Sequence, residues 1–255
     1  MYLVDKLQLI KNMAANNTVE YILADYFLKK MTTIKKITLK AITMETKVSR
    51  TSIIRFCQKA GYSGFTIFID VLADEIKEQQ EMIMHYDSID LDFYNQNVAN
   101  FLNECQKMIE PYYMSLIESL LKSNRIIFFG GEKYLSCFPL LVNNLFFKEK
   151  EVILNYCWDL TKQIELFEQL DQDDLIIFIE PFMNYRTYHE LLMLAPGPIE
   201  IIDQTPAKKA FLGQEIDDEV TISLSLPYTY YDLLYRSYFI YLDMFLITEL
   251  NRRDS

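Results

Sequence analysis

TLKAITMETKVSRTSIIRFCQKAGYSGF, residues 38–65, reads as two short helices joined by a tight turn. Thr38 stands where a first helix carrying Leu39 and Ile42 needs a side-chain acceptor for its unpaired N–H groups, and Ser49 stands in the same place before a second helix. That second helix runs to about Ala60, and Gly61 ends it, because glycine enters the left-handed conformation without steric cost. Ile53, Phe56, Cys57 and Ala60 fall at i, i+3, i+4 and i+7, which makes one apolar stripe for burial. Thr51, Arg55, Gln58 and Lys59 take the other side, with Arg50 in the first turn. Small hydroxyls and arginines near a helix N-terminus suit the major groove of DNA. The same spacing fits an ordinary surface helix with a solvated face, and the local charge separates the two readings. Between residues 29 and 64 stand nine basic residues (Lys29, Lys30, Lys35, Lys36, Lys40, Lys47, Arg50, Arg55 and Lys59) against one acid, Glu45, in a chain whose net charge is -11. A basic patch inside an acidic protein is an electrostatic footprint for phosphate.

Residues 48–65, VSRTSIIRFCQKAGYSGF, resemble the helix-turn-helix of the RpiR-type, sugar-phosphate-sensing transcriptional regulators. Val48, Ser49, Ser52, Ile53, Arg55, Phe56, Cys57, Lys59, Gly61, Tyr62, Gly64 and Phe65 match that family's pattern in register. The departures are Ala60, where leucine is usual, and Lys47, where the turn usually has glycine. A lysine there requires either a less strained turn or acceptance of the cost. The resemblance implies a sequence-specific DNA-binding transcriptional regulator that contacts an operator in double-stranded DNA through the recognition helix 49–60. The contacts expected are Ser49 as cap and phosphate contact, Arg50, Thr51 and Ser52 at base edges or backbone, and Arg55 and Lys59 along the outward face. Lys36, Lys40 and Lys47, with Lys35, are expected at phosphates. Arg55 has an equal claim to a structural hydrogen bond that fixes the domain's own helices.

A chain of 255 residues has length for two domains with substantial cores. The first residues, MYLVDKLQLIKN, carry Asp5 and Lys6 inside their apolar stretch, unlike a secretory signal. No apolar run has the length of a membrane span, and Asp243 and Glu249 interrupt the most apolar late stretch, so a cytoplasmic protein is expected. Cys57, Cys105, Cys137 and Cys157 are scattered in apolar contexts and read as buried thiols. Two histidines, His85 and His189, leave little material for a histidine metal site or a Ser-His-Asp triad; no metal and no cofactor is expected. Residues 1–80 hold 12 basic and 8 acidic residues, whereas residues 81–255 hold 13 and 28, so only the first part attracts nucleic acid.

In chain order, residues 1–30 give one or two amphipathic helices, capped at Asn16 or Asn17, and residues 66–80 a closing helix. The acidic stretch 81–96 reads as a linker. Beyond it come a helix at 97–122, a strand at 125–131, a helix at 135–148, a strand at 151–156, a helix at 159–170, a strand at 174–180, a helix at 185–194, strands at 198–204 and 220–226, and a closing helix at 231–251. Alternation of this kind implies a parallel sheet covered by helices. The fold expected is therefore an all-α helix-turn-helix domain over 1–80 and an α/β domain over 97–255.

That order resembles the sugar isomerase (SIS) domain that follows the helix-turn-helix in RpiR-type regulators. The resemblance implies a homodimer or higher homo-oligomer, with binding of a carbohydrate derivative or sensing of another effector at the carboxyl ends of the strands. The candidate effector contacts are Gly130, Gly131, Lys133, Tyr134 and Arg186. The family's first loop usually reads G-x-G-x-S and its second S-x-S-G-x-T, hydroxyl-rich cradles for phosphate. Here the loops read GGEKY (130–134) and EPFMNY (180–185), without hydroxyl cradles and with a carboxylate in each, so the usual sugar phosphate is not expected to bind. A neutral, aromatic-stacking or cationic effector fits Phe182, Tyr134 and Tyr185 better. The alternatives are an isomerase-like enzyme, with Glu132 or His189 as base, and a pure dimerisation or protein-binding module using the tyrosines between Tyr228 and Tyr241.

Overall fold

The computed structural model describes residues 3–86, 91–154, 160–181, 204–214, 222–229 and 232–253. Contacts divide the chain into two compact units, one of Met1–Met84 with Tyr156–Glu168 and Leu191–Asp203, the other of His85–Asn155, Gln169–Glu190 and Gln204–Ser255.

The first unit is helical: α1 (Leu3–Met13), α2 (Val19–Lys29), a 3-10 turn at Met31–Lys36, α3 (Leu39–Thr46), α4 (Arg50–Lys59) and α5 (Phe65–Tyr86). Three helices start on hydroxyl caps. Thr18 accepts the N–H of Tyr21 at 3.2 Å, Thr38 that of Ala41 at 3.2 Å, and Ser49 that of Ser52 at 3.1 Å. The cap of α2 is thus Thr18 rather than Asn16 or Asn17, because its side chain is the one that reaches back into the first turn. The core is aromatic at its centre: Phe27 lies 5.0 Å from Phe68 and 6.1 Å from Phe56, ring centre to ring centre, and Phe56 lies 6.0 Å from Phe68. Burying each such ring contributes roughly 2–3 kcal/mol. Ile42, Ile53, Cys57, Leu72 and Leu23 close around them.

The second unit holds five parallel strands: β1 (Arg125–Gly130), β2 (Glu151–Leu154), β3 (Asp174–Ile179), β4 (Lys208–Gly213) and β5 (Ile222–Ser225). Their order is β2-β1-β3-β4-β5. Registers run Arg125 to Glu151 and Asp174, Leu175 to Lys208, and Ala210 to Ile222. β3 is buried along its whole length, as a central parallel strand is. Its helices are α6 (Leu91–Ile109), α7 (Tyr113–Lys122), α8 (Glu132–Leu135), α9 (Pro139–Phe147) and α11 (Asp232–Arg253); α10 (Leu160–Glu168), between β2 and β3 in sequence, is grouped by its contacts with the first unit. Asp243, buried in α11, accepts the N–H groups of Leu140 at 3.0 Å and Leu141 at 2.7 Å and so caps α9 from a neighbouring helix. No helix of the described residues is long and apolar enough to cross a membrane.

Four expectations change. The helix expected over 97–122 is two, α6 and α7, because Pro111 disfavours the helical conformation at Glu110 and has no N–H to continue the ladder. The helix expected over 135–148 starts later, at Pro139, as α9, and a separate short helix, α8, precedes it. A strand at Lys208–Gly213 was not expected at all; its leading lysine pair masks an apolar AFL core that is fully buried. The stretch 81–96 is helical on both sides, since α5 runs to Tyr86 and α6 begins at Leu91. The strand expected over 198–204 and the helix over 185–194 lie outside the described residues, Gln204 apart.

Candidate functional site

α3 and α4 form the helix-turn-helix. Lys47 closes α3 in the left-handed conformation, with φ 62° and ψ 11°, and its N–H donates to the carbonyl of Thr43 at 3.1 Å. The turn therefore keeps the geometry that glycine would supply and accepts the strain. At the other end of α4, Gly61 has φ 98°; its N–H donates to Gln58 and that of Tyr62 to Cys57, both at 3.0 Å. This paired closure satisfies two carbonyls that the helix would leave open. Ile53, Phe56 and Cys57 face the core, where burial pushes the Cys57 thiol up to about 12, so it is an inert apolar group.

The outward face of α4 presents Arg50, Thr51, Arg55, Gln58 and Lys59, all exposed. Lys59 pairs with Glu20 at 3.4 Å, which ties the end of α4 to α2. Among the described residues the side chains of Arg50, Arg55, Lys36, Lys40 and Lys47 make no ion pair, and Arg55 makes no hydrogen bond that would fix neighbouring helices. The single acid of the basic stretch is already engaged: Glu45 accepts from Lys30 at 2.9 Å and Tyr26 at 3.3 Å, and Lys30 holds its carboxyl below the usual range. Ser49 and Ser52 share a hydroxyl contact of 2.9 Å at the start of the helix.

The carboxyl edge of the sheet holds the second candidate. β1 and β3 lie side by side where the strand order reverses, the place where open α/β sheets take ligands. A Cβ on Gly130 would meet the carbonyl oxygen of Ile179 at 2.5 Å, so glycine serves the close approach of β1 to β3 there. Gly131 is buried and accepts the N–H groups of Tyr134 at 2.9 Å and Leu135 at 3.1 Å. Lys133 forms an ion pair with Asp232 at 2.9 Å and lies 4.8 Å over the Tyr134 ring, while the buried Tyr134 donates its hydroxyl to the same Asp232 oxygen. On the β3 side, Glu180 is buried and its N–H donates to Leu212 at 3.0 Å. Arg186, Phe182, Tyr185 and His189 lie outside the described residues, as do the side chains of Glu132 and His85. No group of histidine, cysteine, aspartate and glutamate among the described residues is arranged to hold a metal ion.

Residues 2–79 match the helix-turn-helix domain of the rpiR family. This N-terminal region is an rpiR-family helix-turn-helix domain. An uncharacterised HTH-type transcriptional regulator of Providencia stuartii, from the aarA 3′ region, is 26% identical over 158 residues, which cover 58% of this chain. This chain spans about half that protein's length, 55%. Among solved structures, the NanR protein of Vibrio vulnificus complexed with ManNAc-6P aligns with 98% of this chain and 92% of its own, at 16% identity and a TM-score of 0.50. The sugar isomerase domain of an RpiR transcription factor from Sphaerobacter thermophilus aligns with 62% of this chain and 87% of its own, at 13% identity and a TM-score of 0.45. The fold thus matches that of the NanR protein: an rpiR-family helical domain over residues 2–79, followed by a parallel sheet with helices. The resemblance of residues 48–65 pointed to the rpiR family. Sequence reasoning missed Asp232, whose partners are 98 and 99 residues away and leave no periodic signal.

Proposed function

We propose that this chain is a cytoplasmic, sequence-specific DNA-binding transcriptional regulator, with its rpiR-family domain on DNA. The observation that carries the reading is the outward face of α4, where Arg50, Thr51 and Arg55 stand exposed beside Lys47, Lys40 and Lys36 while Glu45 is neutralised from within the domain. A face so charged and so little paired gains more from phosphates and base edges than from water. Ser49, Arg50, Thr51 and Ser52 meet the major groove; Arg55 and Lys59 follow it, and the lysines hold phosphates. The DNA-binding domain takes in residues 1–80 and the SIS-like domain residues 97–255. The latter dimerises the protein and carries no isomerase activity. Footprinting the full chain on its own upstream region tests the reading: a protected site whose occupancy falls steeply with salt is expected, and uniform binding along the fragment would overturn sequence specificity.

A further inference from the structure

An ammonium, a hydroxyl donor and the positive end of a long helix are each able to recognise an anion. All three converge at the carboxyl edge of this sheet. Lys133 and Tyr134 stand on α8 directly after β1, and the 22-residue α11 begins at Asp232, a few residues beyond the end of β5. The ammonium and the hydroxyl are spent on the chain itself. The Lys133 ammonium and the Tyr134 hydroxyl both contact Asp232 Oδ1, and that carboxylate sits in the first turn of α11. The nearby backbone donors are committed as well. The N–H groups of Tyr134 and Leu135 turn back onto Gly131, Glu180 gives its N–H to Leu212, and Pro181 has none.

We infer that Asp232 is an internal surrogate for an anionic ligand: its carboxylate occupies the Lys133 ammonium and the Tyr134 hydroxyl at this edge, so the native chain does not take a phosphate or sugar phosphate on them. The inference rests on the proposed function only in treating this edge as the place where an effector would be sensed. A phosphate dianion arriving at Lys133 meets a carboxylate already paired with it. It must displace Asp232 or be repelled by it, and the ammonium alone, part-exposed, returns little of that cost. Removing the carboxylate should therefore create a site, where removing a ligand contact would destroy one.

Titration calorimetry on the full chain tests this with inorganic phosphate and a panel of hexose and pentose phosphates. The native chain is expected to show no heat at millimolar concentration. Asp232→Ala is expected to bind phosphate at least tenfold more tightly than the native chain, and Asp232→Ala with Lys133→Ala to lose that gain. Asp232→Asn keeps an acceptor for Tyr134 and removes only the charge. It gives the same expected gain should the alanine variant fold poorly, as judged by circular dichroism. A micromolar dissociation constant of the native chain for any sugar phosphate, abolished by Lys133→Ala, would overturn the inference, and so would a folded Asp232→Asn with no gain. DNA binding measured on the same samples keeps the outcomes apart: lost DNA binding sinks the regulator reading, whereas phosphate binding by a native chain that still binds DNA sinks only this one.

Discussion

A left-handed lysine costs about 1 kcal/mol relative to glycine in the same conformation, and Lys47 sits in one with its side chain exposed. Its retention is explained if the charge is used on DNA. Lys47→Gly is accordingly expected to raise stability by roughly 0.5–1 kcal/mol in urea unfolding while weakening DNA binding and flattening the log–log salt slope by about 0.9. A variant that is more stable and binds DNA equally well would remove Lys47 from the interface. Arg50 and Thr51 stand in the first turn of α4, where base edges are read. Arg50→Ala and Thr51→Ala are each expected to lose about 1–3 kcal/mol on the operator and less on random DNA, whereas Lys36→Ala weakens both alike. Equal losses on both DNAs for Arg50→Ala, measured by fluorescence anisotropy, would move the base-reading face elsewhere. Residues like these were legible because caps and helical stripes are local: Ser49, Thr38 and Gly61 act within three residues of themselves. Tyr134 was not, since an aromatic in a glycine-rich loop reads as a ligand contact until a carboxylate 98 residues away is seen to take its hydroxyl.

The first and last helices of the helical domain are tied by a half-buried carboxyl group. Glu75 of α5 accepts the N–H groups of Leu3 at 2.8 Å and Val4 at 3.0 Å, so a carboxylate caps α1 across more than 70 residues of chain. Burial pushes its pKa up to about 7, against the pull of those two donors and of Lys6, whose own pKa burial lowers. The folded chain thus holds a proton on Glu75 between about pH 4.5 and 7 that the unfolded chain has released. This contribution is complete below pH 4.5 and is lost as the pH rises toward 7, with a slope of up to roughly 1.4 kcal/mol per unit. Asp25 and Glu45, lowered by Lys29 and Lys30, act in the opposite direction but at the surface, where solvent screens them. Comparing urea unfolding of the native chain and Glu75→Gln at several pH values cancels the surface groups. The variant is expected to lose the decline between pH 4.5 and 7, and parallel pH profiles would show that Glu75 does not titrate there. Element types in the second unit were legible where apolar runs were uninterrupted, as in RIIFFG and DLIIFI. They failed where the deciding residue was a proline inside a periodic run, Pro111, or where lysines headed a short strand, as in β4. Long-range burial overrides local composition in such places.

One short recognition helix reads only a few base pairs, so a helix-turn-helix gains specificity by presenting two copies to half-sites about one helical turn apart. The second coupling element has to come from the region that DNA repels, residues 81–255, with 13 basic and 28 acidic residues. Its exposed surface offers an apolar strip on α11. Ile240 and Met244 are 53% and 57% exposed, one turn apart, and Leu233 continues the line toward the helix start. Leu140 of α9, 46% exposed, is held beside them by the bond from its N–H to Asp243. Alternating with these, Tyr238, Phe239, Leu242 and Leu246 are buried, so the strip is a second apolar face on a helix whose core face is already satisfied. A second copy of the same strip, related by a two-fold axis, would cover it. The full chain is therefore expected to be a homodimer at micromolar concentration in light scattering. Met244→Glu is expected to weaken the dimer at least tenfold with an unchanged circular dichroism spectrum. The same change should lower affinity for an operator with two half-sites while leaving a single half-site nearly unaffected, because each rpiR-family domain is intact. A native chain that is monomeric at that concentration would remove the dimer, and a Met244→Glu chain that remains dimeric would place its interface on another face.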